Sequence, residues 1–174
     1  MKVLQLPRVK IRVQALQKIL AYCRACPVEI NGFGVTEQRG RNVVVVDAFV
    51  TRQIARSDGV IADGEGILRA CAERGVKLEQ LRCQWHSHVR YKAEFSVTDI
   101  AQINRYSGGY MVSVVANKRG EVSCRLDCYE PLRMAFAVPL EAFVDSDDAL
   151  IADCALDIKR EVTIIGTKKK ERRK

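Results

Sequence analysis

Long apolar runs are missing from this 174-residue sequence. None approaches the roughly 18–20 residues that a membrane span needs, so no association with a membrane is expected. The opening stretch MKVLQLPRVKIRVQ has charges scattered through it and lacks a continuous apolar core, so it does not read as a secretory signal. Cysteines number seven, an odd count in a chain too long for a disulfide-stapled miniprotein. They read as reduced thiols, and the expected compartment is the cytoplasm. Aromatics are absent from the basic end, residues 159–174, which removes the stacking platform that single-stranded nucleic acid uses. Histidine is scarce as well: the chain has two, and both fall in the run Gln84-Trp-His-Ser-His88.

The net charge is +8, but residues 159–174 hold eight Lys or Arg against two Glu, leaving about +2 for everything else. Basicity is thus a property of the end of the chain, and nucleic acid is not the expected partner of the body. A hydrophobic share of 48% suits a domain able to bury a real core. Spacing predicts a short strand at Val3–Leu6 and a helix over Ile11–Cys26, stopped by Pro27. EINGFGVTE and NVVVVDAFVTR read as a hairpin about QRGR, and Gln53–Gly66 as a polar loop. A helix over ILRACAERG ends at Gly75. The run LRCQWHSH alternates, with Leu81, Cys83 and Trp85 on one face and Arg82, Gln84, His86 and His88 on the other. A helix begins at SVTDIAQINRY, a hairpin turns at Asn117–Gly120, and LRMAFAVPLEAF supplies a last strand. A further helix is expected over Asp147–Val162. The order argues for an α/β fold, one mixed and mostly antiparallel sheet flanked by helices. The expected division is a domain over 1–145 and an extension over 146–174, a helix packing back and then a basic, flexible tail.

Two histidines at i and i+2 on a strand project from one face, close enough to grip one ion. Zinc accepts imidazole nitrogen and carboxylate oxygen, and catalytic sites use three protein ligands and keep a fourth position for water. Asp99 lies eleven residues after His88, within reach of a loop and one helical turn. Ser96 and Asp99 taken alone make an ordinary helix-capping pattern. With the histidines they form His-x-His-x7-Ser-x2-Asp, which chance gives in roughly one chain of this length in several thousand.

That pattern resembles, position for position, the motif of the JAMM (MPN+) metalloproteases: His86, His88, Ser96 and Asp99. The segment PVEINGFGV is similar to the one in which the family's glutamate follows the first long helix, placing that glutamate at Glu29. The resemblance covers about Ile11 to Phe143. It implies a single MPN-type domain with cytidine-deaminase-like layering, and one zinc ion per chain held by His86, His88 and Asp99. It further implies Glu29 as general base and Ser96 as the donor to the oxyanion. The implied substrate is the bond after the C-terminal glycine of ubiquitin or a ubiquitin-like protein. Gln53–Gly66 and Arg90–Phe95 are the candidate walls of the groove for that tail. Many members carry proline after the second histidine, where this chain has Val89, a change expected to alter loop stiffness rather than metal binding. WHSHV looks most like bacterial members, some encoded beside ubiquitin-like proteins, including in anti-phage operons. Two alternatives stay open: hydrolysis of an amino-acid adduct on a sulfur-carrier protein, and a non-catalytic module that binds ubiquitin-like tails. Ser87, between the ligands, is read as support rather than nucleophile, and Cys23-x2-Cys26 with Cys124-x3-Cys128 as scattered thiols rather than a structural zinc site.

Overall fold

Alternating strands and turn glycines generate most of the architecture. The computed structural model describes residues 7–56 and 59–144, all but the last within the unit Met1–Phe143. Strand β1 (Val9–Arg12) runs straight into helix α1 (Val13–Ala25), so the expected helix starts two residues late and a strand precedes it. The buried stripe of α1 is Ala15, Ile19 and Cys23, and Pro27 forces the preceding Cys26 into an extended conformation that ends the helix. Strands β2 (Asn31–Arg39) and β3 (Asn42–Phe49) form the expected hairpin, with Gly40 at φ +62° in the turn. The segment expected as a loop is instead a small hairpin, β4 (Gln53–Arg56) and β5 (Gly59–Ala62). Helix α2 (Gly64–Arg74) follows, capped by the Asp63 side chain and closed by Gly75 in the left-handed conformation.

Strand β6 (Cys83–Ser87) is followed by α3 (Val97–Ile103), then the hairpin β7 (Tyr110–Ala116) and β8 (Val122–Cys128). The last predicted strand is two, β9 (Met134–Val138) and β10 (Leu140–Phe143). Val3–Leu6 and Asp147–Val162 lie outside the described residues, as does the basic end.

The fold is α/β, built on an eight-stranded mixed sheet in the order β10-β1-β3-β2-β6-β7-β8-β9. Four neighbouring pairs are antiparallel and three parallel. β9 and β10 occupy opposite margins of that sheet yet are separated by Pro139 alone. One stretch therefore serves both edges, and the sheet must curl until they meet. Proline suits the change of partner because it has no N–H to offer a ladder.

Helix α1 packs on one face against Ile11, Val45, Cys83, Trp85, Val112, Val114 and Leu126. Helix α2 covers part of the other face through Ala70 and Cys71, which meet Val35, Phe49 and Leu81. Leu81 thus belongs to the second cluster rather than sharing a face with Cys83 and Trp85, because it precedes the strand. Trp85 is fully buried and stacks on Tyr22 at 5.6 Å between ring centroids. Gly32 makes room for it: a methyl there would stand 2.3 Å from the Phe49 carbonyl oxygen and 2.5 Å from the indole. Gly32→Ala is accordingly expected to cost about 1–3 kcal/mol, read as a lower denaturant midpoint with unchanged slope. Among the described residues no helix is long and apolar enough to cross a membrane.

Candidate metal centre

The period of two along β6 sends Trp85 into the core and leaves Gln84 and His86 on the face that α3 approaches. His88 stands one residue past the strand, but its N–H still reaches the Ala116 carbonyl at 2.9 Å, so the alternation carries through. Asp99 arrives from α3, whose start is fixed by a capping box. The Ser96 hydroxyl accepts from the Asp99 N–H at 3.2 Å, and the Ser96 N–H donates to Asp99 Oδ2 at 2.7 Å.

These elements bring three ligand side chains together. His86 Nε2 and His88 Nε2 are 3.1 Å apart. His86 Nε2 is 3.3 Å from Asp99 Oδ1, and His88 Nε2 is 3.4 Å from Oδ2. Ligands placed tetrahedrally at roughly 2.0–2.1 Å from an ion stand about 3.3 Å from one another. Each imidazole nitrogen lies about that far from one of the two Asp99 oxygens, so the three side chains are near enough to share one metal. Among the described residues this is the one group of three or more His, Cys, Asp or Glu able to hold a metal ion.

The surroundings orient each ligand. His88 Nδ1 lies 2.9 Å from the Lys92 carbonyl, which can only accept, so the proton sits on Nδ1 and Nε2 keeps its lone pair toward the site. Asp99 Oδ2 also accepts the Ser96 hydroxyl at 2.6 Å, leaving Oδ1 the less committed oxygen. Desolvation opposes ionisation of Asp99, but hydrogen bonds from His86 and Ser96 and the His86 charge outweigh it, holding the carboxyl well below the usual range. The carboxylate is therefore ionised at any working pH; whatever stability this contributes is present above the ordinary carboxylate range and lost as pH falls below it.

Glu29 lines the same cavity, of about 470 Å³, together with His86, His88, Ser96 and Asp99. Asn31 pairs with His86 across β2 and β6, and carrying that register two residues outward sets Glu29 beside His88. Ser87 secures this extension, its hydroxyl accepting the Ile30 N–H at 3.0 Å and its own N–H reaching the Ile30 carbonyl at 2.9 Å. On the other flank the Gln53 amide takes the Asn31 N–H at 3.0 Å and donates to its carbonyl at 2.9 Å. Both candidate groove segments reach the cavity, through Val60 and Tyr91. Phe95 sets its ring edge to the His86 ring. Asn31, Gln84, Gln102, Ile103 and Ser113 also line it. None of these five was singled out as a site residue, although the alternation of β6 already placed Gln84 on the histidine face.

Val89 has φ +39°, a left-handed conformation that a β-branched residue enters at a cost and proline cannot enter at all. A proline in place of Val89 could not follow this backbone path behind His88. Val89→Gly is expected to raise stability by up to about 1 kcal/mol, and Val89→Pro to lower it, both checked by thermal melts.

Among the described residues no cysteine belongs to the group able to hold a metal. Burial pushes Cys23 up to about 11 and Cys124 up to about 12, and Cys83 higher, so all three are poor nucleophiles.

No family model and no curated protein matches the chain. Among solved structures it is similar to the solution structure of protein DSY2949 from Desulfitobacterium hafniense. The TM-score is 0.56 at 15% identity, over 79% of this chain and 95% of that one. At that identity the likeness concerns fold alone.

Proposed function

We propose that the chain is a zinc hydrolase of the JAMM (MPN+) kind, cleaving the bond after the C-terminal glycine of ubiquitin or a ubiquitin-like protein. The observation that carries this reading is the meeting of His86, His88 and Asp99, their ligand atoms within 4.8 Å of one another, in a cavity that Glu29 also lines. His86, His88 and Asp99 would hold the ion through two nitrogens and one oxygen. When bound, zinc supplies Lewis acidity and makes water nucleophilic near neutral pH. The Glu29 carboxylate takes the proton from the attacking water and returns it to the leaving nitrogen. The Ser96 hydroxyl, which donates to Asp99 Oδ2, turns to donate instead to the oxygen that gains negative charge at the cleaved carbonyl. A glycine-ended tail is narrow enough to lie extended beside the β4–β5 hairpin, whose Val60 borders the cavity, and to add as a strand there. Within this reading the α/β sheet with α1 on one face and α2 and α3 on the other is an MPN domain.

The test is a panel of ubiquitin-like proteins, each fused through its terminal glycine to a reporter and incubated with the zinc-loaded chain. Release from at least one member, blocked by chelator, is the expected result. Zinc bound without release from any member would favour a binding module over an enzyme.

A further inference from the structure

The floor of the cavity carries a buried hydroxyl that the reaction above does not use. Ser113 pairs with Gln84 across β6 and β7, so its side chain shares the face of Gln84 and His86. It is 3% exposed, it lines the cavity, and its Oγ has no hydrogen-bond partner in the protein. A buried hydroxyl left so costs about 1–3 kcal/mol, and a strand position between Val112 and Val114 would accept alanine without that cost. Gln84 beside it is half committed: its Oε1 accepts the Tyr106 hydroxyl, which leaves the Nε2 hydrogens to offer. The remaining walls at this end, Gln102 and Ile103 of α3, are uncharged.

The place of this corner relative to the metal ligands gives it a role. The β4–β5 hairpin is rooted on the β2 side of β6, where Gln53 grips the Asn31 backbone. Ser113 lies on the opposite side of β6, on β7. An acyl tail entering along the hairpin therefore sends the leaving group toward Ser113. Resting on the hydrolase reading, we propose that Ser113 and the Gln84 amide form a leaving-group subsite for an uncharged hydroxyl or carboxamide side chain. Such a group both donates and accepts, matching a hydroxyl beside an amide N–H pair. A charged side chain would be desolvated there without a counter-ion, and the methylenes of a lysine would bury the two polar groups unmatched. The subsite thus favours a linear peptide bond, as in precursor processing, over a lysine isopeptide bond.

The test uses the full chain loaded with cobalt(II) in place of zinc, titrated with acetyl-Gly-Gly-Ser-amide and acetyl-Gly-Gly-Ala-amide. The two probes differ by one hydroxyl, and binding is read from the visible cobalt bands, so turnover is not needed. Wild type is expected to bind the serine peptide about tenfold more tightly, the worth of one well-placed hydrogen bond. Ser113→Ala is expected to bring that ratio to about one while its melting temperature is equal or higher, because an unpaired hydroxyl has been removed. Equal binding of both peptides by wild type, retention of the preference in Ser113→Ala, or no spectral response to either peptide overturns the subsite. A chain that acquires no cobalt bands overturns the metal reading beneath it, and that failure is seen before any peptide is added.

Discussion

Glu29→Gln is expected to lower turnover by about 10²- to 10⁴-fold while zinc content and melting temperature stay at wild-type values. Glutamine has the same shape but cannot take a proton from water at neutral pH. Among the described residues nothing pairs with the Glu29 carboxylate, and Ile30 and Asn31 are held by Ser87 and Gln53 through backbone groups that the substitution leaves alone. Glu29 also stands outside the group of three that can hold a metal, so the ion should remain. Steady-state kinetics beside metal analysis separates the two effects. Full turnover by the variant would remove Glu29 from the role of base.

Asp99→Asn is expected to weaken metal binding by at least about a hundredfold, and Asp99→Ala by more. Losing even a group that merely supports a ligand typically costs 10- to 100-fold, and Asp99 is in the ligand set itself. The asparagine variant is the cleaner test, because its side-chain oxygen can still accept the Ser96 N–H that closes the first turn of α3. Alanine removes that cap as well and should cost about 1 kcal/mol of stability in addition. Stoichiometric zinc in both variants after dialysis would take Asp99 out of the ligand set.

Much of this centre is legible in the sequence because it depends on local periods. The alternation of QWHSH puts both imidazoles on one face, and Ser-x-x-Asp is a cap whether or not a metal is near. Turn glycines marked the hairpins in the same way. What escaped depends on distant partners. Ile11 and Arg12 read as the start of a helix because VKIR runs into α1 without a break, and the pairing of Val9–Arg12 with β3 and β10 is set by residues far along the chain. The β4–β5 hairpin, two strands of four residues each, is too short to stand out from a loop. The change of partner at Pro139 is a property of the whole curled sheet, which no local window contains. Ser113 looks like a lone small polar residue in an otherwise apolar strand until the cavity above it is known. Val89 shows the limit from the other side: the missing proline was visible, but the left-handed backbone that goes with it was not.

The most direct measurement is X-ray absorption at the zinc edge, with metal stoichiometry, on the purified full chain after loading and dialysis. The expected result is one zinc per chain in a shell of nitrogen and oxygen at roughly 2.0–2.1 Å, with an imidazole signature. Absence of bound zinc, or a sulfur shell at roughly 2.3 Å, would contradict a centre built on His86, His88 and Asp99.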